Sequence, residues 1–213
     1  MQKNKNTQSV IIPLGAIQLQ GILTMPARPI GVVLFAHGSG SGRLSPRNAY
    51  VANVLNERHI ATLLVDLLTE EEDAVYATRF DIALLTERLT AVAAWLRKME
   101  DIAHVPLGLF GASTGAASAL MLAAKKDAEI AIVISRGGRV DMAEEVLGDI
   151  HCPVLFLVGE RDDEVRALNE QAFEKLHTEK TLVIIPDATH LFEEPGTIEA
   201  VATHAADWCV QHF

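Results

Sequence analysis

The sequence is short of cysteine, of aromatic rings and of positive charge, and each shortage removes a class of function. Only two cysteines occur in 213 residues, Cys152 and Cys209, and they form no CxxC. A disulfide framework and a thiolate metal site are therefore excluded. Two Trp, two Tyr and seven Phe are too few for a platform that stacks sugars or single-stranded nucleic acid. Basic residues number 18 against 28 acidic ones, a formal net charge of −10. That sign repels phosphate backbones and anionic lipid, so neither nucleic acid nor a membrane is an expected partner. No apolar run approaches the ~20 residues of a membrane span. The polar start, residues 1–8, lacks the apolar stretch of a signal peptide. A cytoplasmic protein is the expectation. No H-x-x-x-H and no histidine–carboxylate cluster occurs, so no metal is expected, and no motif calls for a cofactor.

What is present is ordinary globular material: 49% hydrophobic and 22% charged residues, enough for a sizeable core in one domain spanning 1–213. Residues 9–14 and 16–25 read as two opening strands with Gly15 at the turn, an antiparallel hairpin. Further apolar strands are expected at 30–36, 60–65, 105–110, 130–135, 154–158 and 181–185. Their Val, Ile and Leu run unbroken rather than alternating, the mark of strands covered on both faces.

Helical patterns fill the gaps. Ser45-Pro46 reads as an N-cap followed by proline at the first helical position. Apolar residues at 82, 85, 89, 92, 96 and 99 form a one-sided stripe. Residues 114–126 are Ala-rich. Val165, Leu168, Ala172 and Leu176 mark another stripe, and Ile198, Val201, Ala205 and Trp208 the last. Strand and helix in alternation predict an α/β fold with an open, mostly parallel sheet and helices on both faces. The acidic run at residues 70–73 reads as a solvated loop, with a pocket border as the alternative.

Open α/β sheets bind ligands at the carboxyl ends of their strands, so functional residues should follow strands directly. Gly111-Ala112-Ser113-Thr114-Gly115 does so, between a predicted strand and a predicted helix. That is the setting of a nucleophile elbow. By composition ~0.03 such matches are expected per chain. A serine hydroxyl needs a base, usually a histidine oriented by a carboxylate. Of eight histidines only His37 and His190 follow strands, and His190 has the chain order expected of the base. The acid candidates are Asp162, first, then Asp163 and Asp141. Asp163 also fits the start of a helix, where a carboxylate is simply stabilising.

Oxyanion stabilisation calls for two preorganised donors. The backbone N–H of Thr114 is one candidate. The N–H of Ser39 is the other, in the loop His37-Gly38-Ser39-Gly40-Ser41-Gly42-Arg43. That loop matches neither phosphate-binding glycine pattern. Arg43, Arg47 and Asn48 follow the glycine loop, and Arg136-Gly137-Gly138-Arg139 follows the strand at 130–135. The first reading of these arginines is that they clamp loops by pairing with Asp66, Asp141 or Glu70; the alternative is that they bind a substrate anion, with Arg43 and Arg136 as the candidates and Arg136 ahead.

On the residues His37-Gly38-Ser39-Gly40, Gly111–Gly115, Gly159-Glu160-Arg161-Asp162 and Ala188-Thr189-His190, the chain resembles the α/β-hydrolases, and within them the dienelactone hydrolase-like small hydrolases. The resemblance spans residues 30–195. It implies the α/β-hydrolase fold, an eight-stranded sheet whose second strand is antiparallel. The dienelactone hydrolases use a cysteine nucleophile where this chain has Ser113, so serine ester hydrolysis fits better than dienelactone cleavage. Only residues 136–152 separate the sixth and seventh expected strands, which leaves no room for a cap domain. The expected activity is cleavage of a small carboxylic ester or thioester by a Ser113–His190–Asp162 triad. The alternatives are acyl transfer, amide cleavage or perhydrolysis with the same residues, or a non-catalytic ligand-binding protein on a hydrolase scaffold. The edge strands of an open sheet need protection, which a homodimer would provide.

Overall fold

A computed structural model describes residues 5–213; the first four residues of the polar start lie outside the described residues. β1 (Lys5–Leu14) and β2 (Ile17–Pro26) form an antiparallel hairpin in unbroken register, from Lys5↔Pro26 to Leu14↔Ile17. Gly15 turns the chain at φ +67. β1 starts four residues earlier than its apolar pattern suggested, because polar Lys5, Asn6 and Thr7 keep pairing along β2 at the sheet edge. Then come β3 (Gly31–Ala36), α1 (Pro46–Glu57) and β4 (Ile60–Val65). Ser45 caps α1 through its side chain, with Pro46 at the first position, as the sequence indicated.

The acidic run at 70–73 departs from expectation. It is a one-turn helix, α2 (Glu70–Asp73), closed by a capping box between Thr69 and Glu72. Two of its four carboxylates are paired, Glu72 with Arg88 at 2.8 Å and Asp73 with Arg79 at 3.1 Å, while Glu70 and Glu71 are exposed. A 3₁₀ segment (Tyr76–Phe80) leads into α3 (Ile82–Leu96), whose N-cap is Asp81. β5 (Leu107–Ala112), α4 (Thr114–Ala123), β6 (Ile130–Arg136) and β7 (Val154–Gly159) follow. β5 begins two residues later than expected, after Pro106, which has no N–H to give the ladder. α5 (Asp163–Lys175), β8 (Lys180–Ile185) and α6 (Thr197–His212) complete the chain. Between β6 and β7 lie only 3₁₀ turns (Val140–Asp149), and no cap domain is present among the described residues.

The sheet has eight strands in the order β1-β2-β4-β3-β5-β6-β7-β8. β2 runs antiparallel to β4, and β3 to β8 are mutually parallel. Every residue of β3, β4, β5 and β7 is buried, which explains their continuous apolar runs. Alternate residues feed two cores. Leu34 and Ala36 join the layer under α3, α4 and α5; Val33 and Phe35 join the layer under α1 and α6. The parallel strands therefore end together, and their loops gather along one edge.

Candidate active site

The turn after β5 is fixed by contact. A Cβ on Gly111 would lie 2.4 Å from the Ala116 Cα, and one on Gly115 would lie 2.1 Å from the Ala36 carbonyl oxygen. Only glycine lets α4 start so close to β3 and β5. Ser113 is held between them at φ 50, ψ −119, a conformation that costs about 1–3 kcal/mol in a non-glycine residue. Three backbone hydrogen bonds enforce it. The Ser113 N–H donates to the Arg136 carbonyl at 3.1 Å, and the Ser113 carbonyl accepts from Arg139 at 3.1 Å and Ala116 at 3.0 Å.

The His190 Nδ1 lies 2.6 Å from the Asp162 Oδ2. An ionised carboxylate can only accept, so Nδ1 carries the proton and the neutral ring keeps its lone pair on Nε2. Asp162 occupies the N-cap position of α5 yet makes no side-chain bond to that helix. Its carboxylate is turned to His190 instead. The acid side chain is 13% exposed and the imidazole 38% exposed, so the pair is sheltered on one side and open on the other. Asp163 is the first residue of α5 and is exposed; Asp141 forms a two-point pair with Arg139 at 2.9 and 2.7 Å. Arg139 holds the Asp141 carboxyl below its ordinary range, chiefly by hydrogen bonding. Of the three acids weighed from sequence, Asp162 alone is hydrogen-bonded to His190.

The loop carrying His190 is unusually bent. Asp187 and Phe192, at φ 61 and 53, bracket the histidine. Polar contacts hold the loop: Arg161 pairs with Asp187, Glu160 accepts from the Asp187 N–H at 2.9 Å, and Glu194 accepts from both the N–H (3.1 Å) and the hydroxyl (2.7 Å) of Thr189. Gly137, at φ 53, lies under the ring; a Cβ there would stand 3.4 Å from the His190 Cε1 and Nδ1. The corner Arg136–Gly137 thus touches both the serine backbone and the imidazole.

Thr114 is 1% exposed at the start of α4, and its hydroxyl accepts from the Ser39 N–H at 3.1 Å. This link joins the glycine loop to the elbow. His37 plays a different part. Its Nε2 accepts from the Leu67 N–H at 3.0 Å, and its Nδ1 donates to the Gly38 carbonyl at 3.0 Å. It ties the glycine loop to the end of β4. His37, Ser39, Asp73, Arg79 and Thr114 come together where these loops meet. Of the acidic run, Asp73 reaches this junction, while Glu70 and Glu71 are exposed.

The two arginines singled out from sequence differ sharply. Arg43 is committed: its guanidinium pairs with Asp66 and donates to Gln20 at 2.7 Å, and its N–H donates to Asp66 at 2.6 Å. It clamps the glycine loop to the strand end. Arg136 has no acidic partner among the described residues. It donates to the Asn48 Oδ1 at 3.3 Å and lies over the Phe192 ring at 5.5 Å. Burial, and then the charge of Arg47, lower its pKa to about 10. Arg47 and Asn48 were singled out from sequence as following the glycine loop; Phe192 was not, since it meets Arg136 only through the fold. Both cysteines are buried, and burial raises the Cys152 thiol to about 11 and the Cys209 thiol further, so neither is an activated thiolate.

Residues 29–211 match the family model described as an alpha/beta hydrolase domain. The chain belongs to that family, and its fold is that of a hydrolase. The chain is similar to a dienelactone hydrolase from Anabaena variabilis, with 47% identity and a TM-score of 0.94 over 98% of this chain and 99% of that one. The fold recurs at greater distance in Est1E from Butyrivibrio proteoclasticus, with 18% identity and a TM-score of 0.82 over 96% of this chain and 98% of that one. Two Mycobacterium tuberculosis proteins (strains CDC 1551 and H37Rv), provisionally named phosphoribosyl transferases, are 49% identical over 97% of this chain and 46% of their own length. The chain spans about half the length of these curated relatives.

Proposed function

We propose that the chain is a serine hydrolase that cleaves a small carboxylic ester or thioester through an acyl-enzyme. The observation that carries this reading is the His190–Asp162 hydrogen bond of 2.6 Å on the same sheet edge as the strained Ser113. The Ser113 Oγ attacks the carbonyl carbon while its proton passes to the His190 Nε2. Asp162 holds the ring in that tautomer and stabilises the imidazolium. The oxyanion is held by the Thr114 N–H, free at the first position of α4, and by the Ser39 N–H, which the arriving carbonyl oxygen shares with the Thr114 hydroxyl. The imidazolium then gives its proton to the departing alkoxide or thiolate. Water attacks the acyl carbon as its proton goes to Nε2, and the serine is restored.

The short β6–β7 connection supports a shallow, open mouth and hence short-acyl substrates. We read residues 1–213 as one domain acting on a small molecule in the cytoplasm. No helix among the described residues is long and apolar enough to cross a membrane. Acyl transfer, amide cleavage and perhydrolysis use the same atoms and remain alternatives. Phosphoribosyl transfer is not proposed for this chain. A bent serine with a His–Asp pair activates a hydroxyl nucleophile, and the matched proteins are about twice as long.

Active-site labelling tests the reading. A fluorophosphonate should modify Ser113 alone, detected by mass spectrometry, with no adduct in Ser113→Ala. Labelling should be followed by turnover on a panel of esters and thioesters of increasing acyl length. Absence of an adduct in folded protein would remove the hydrolase reading and favour a ligand-binding role.

A further inference from the structure

The corner that joins the nucleophile to the base holds a charge with nothing to balance it. Arg136 ends β6 and is 7% exposed. Its guanidinium meets one neutral acceptor, the Asn48 Oδ1, and the face of Phe192. Its Nε is buried without a hydrogen-bond partner. Buried charges are ordinarily paired with an opposite charge. A buried polar group without a partner calls for an explanation such as a ligand or ion.

The surroundings deepen the imbalance. Asn48 lies in the first turn of α1, a helix of 12 residues with no acidic residue in that turn. Ser45 takes the Asn48 N–H and Pro46 has none to give, so this turn adds its dipole rather than a set of free donors. Arg47, in the same turn, also has its Nε buried without a partner. It pairs at 2.9 Å with Glu193, whose side chain is 64% exposed. Two guanidiniums and a helix N-terminus converge here, and one well-hydrated carboxylate opposes them. Among the chain's other arginines, Arg43, Arg79, Arg88, Arg139 and Arg166 each have a carboxylate of their own. Arg136 does not.

From this arrangement we infer that Arg136, Arg47 and the first turn of α1 form a binding site for an anionic oxygen group carried by the substrate, a phosphate or a carboxylate. The inference rests on the hydrolase reading for the word substrate, but the anion site itself does not depend on turnover. The position suits a substrate handle. Arg136 accepts the Ser113 N–H through its own carbonyl at 3.1 Å. Gly137, the next residue, packs against the His190 ring, and Phe192 lies two residues beyond His190. An anion docked here is anchored beside the reacting carbonyl rather than on a remote surface. Arginine forks and helix N-termini both favour phosphate and carboxylate oxygens. The preferred substrate is therefore an ester bearing a negative charge, an unusual choice for a chain of net charge −10. A local positive site is what allows an acidic surface to accept it.

The experiment has a binding arm and a kinetic arm. In the binding arm, Ser113→Ala protein is titrated calorimetrically with inorganic phosphate and, separately, with succinate. At least one should bind, and the pair identifies which oxygen chemistry the site takes. Arg136→Met and Arg47→Gln, each built on Ser113→Ala, should weaken that binding by about tenfold to a hundredfold, the worth of a charge-assisted hydrogen bond. Arg47 is partly exposed, so Arg47→Gln keeps the test available should Arg136→Met not fold. In the kinetic arm, the ratio of kcat/KM for a carboxylated or phosphorylated ester over its neutral counterpart should exceed unity and fall in both variants. Binding of neither anion, or binding that both variants leave unchanged, would overturn the inference. A chain that binds phosphate or succinate through Arg136 yet takes no fluorophosphonate would retain the anion site and lose the hydrolase reading.

Discussion

The serine and the histidine of the candidate site are held by opposite means. Ser113 sits in a buried corner made by steric contact: Gly111 and Gly115 leave no room for a methyl group, and Thr114 is 1% exposed. His190 sits on a surface loop drawn into shape by charges: Arg161 with Asp187, Glu160 with the Asp187 N–H, Glu194 with Thr189. Ser113 is positioned by packing, which salt and pH scarcely touch. The His190 loop is positioned by exposed polar contacts, each weak and screened. The difference places the adjustable half of the site on the histidine side.

The comparison can be broken most severely at the packed corner. Gly115→Ala would drive a Cβ to 2.1 Å from the Ala36 carbonyl oxygen, which backbone must move to relieve. The expected loss is at the top of, or beyond, the ~1–3 kcal/mol typical of overpacking. Thermal unfolding should show a large drop in Tm or no folded protein, and fluorophosphonate labelling should vanish with it. Asp162→Asn separates chemistry from packing. The amide can present its NH₂ to Nδ1 and favour the wrong tautomer, so kcat should fall about 10³- to 10⁴-fold. Tm should barely change, because Asp162 makes no side-chain bond to α5. A large loss of stability in that variant would mean that the carboxylate is structural.

Arg136→Met tests the hinge between the two halves. Burial and then Arg47 lower the Arg136 pKa to about 10, so the folded state holds this charge at a cost. That cost is present in full below pH 10 and is relieved only at higher pH, since the unfolded chain keeps its proton longer. Replacement by an apolar side chain of similar length should therefore raise stability at neutral pH by about 1–3 kcal/mol, or several degrees in Tm. A fall in Tm would mean that the Asn48 and Phe192 contacts outweigh the desolvation. The smallest effect is expected at the loop. Glu194→Gln should lower kcat a few-fold with little change in Tm, and added salt should reproduce part of that loss in the unchanged protein. Equal activity at low and high salt would show that the loop holds its shape without the charges.

The two halves also differ in how far the sequence reveals them. The serine corner is local: Gly111, Ser113 and Gly115 lie within five residues, and their spacing alone requires a tight turn. His190 and Asp162 are legible from strand order, because each must follow a strand that ends at the same edge. What binds the loops is not legible. Arg43 and Arg136 look alike in the chain, yet one meets Asp66 across 23 residues and the other meets Asn48 across 88. Only the fold decides which arginine is neutralised. The hydroxyl of Thr114 bonds to Ser39, 75 residues away, and no pattern announces it. The capping box of Thr69 and Glu72 was readable from its spacing, but the acidic run around it reads first as a loop. The strand ends were misplaced where the chain is polar at Lys5–Thr7 or lacks an N–H at Pro106, since apolar pattern carries no information at either.

The short connection between β6 and β7 has a consequence for the fate of the acyl group. On the proposed mechanism, no cap domain among the described residues covers the elbow, so water from bulk solvent reaches the acyl-serine. Any alcohol, amine or peroxide competes with water there by abundance and nucleophilicity, not by admission through a gate. The partition between hydrolysis and transfer is then set by the medium rather than by the protein, unless an acceptor is itself bound. Product ratios from a single ester in graded mixtures of water and methanol would read that partition directly.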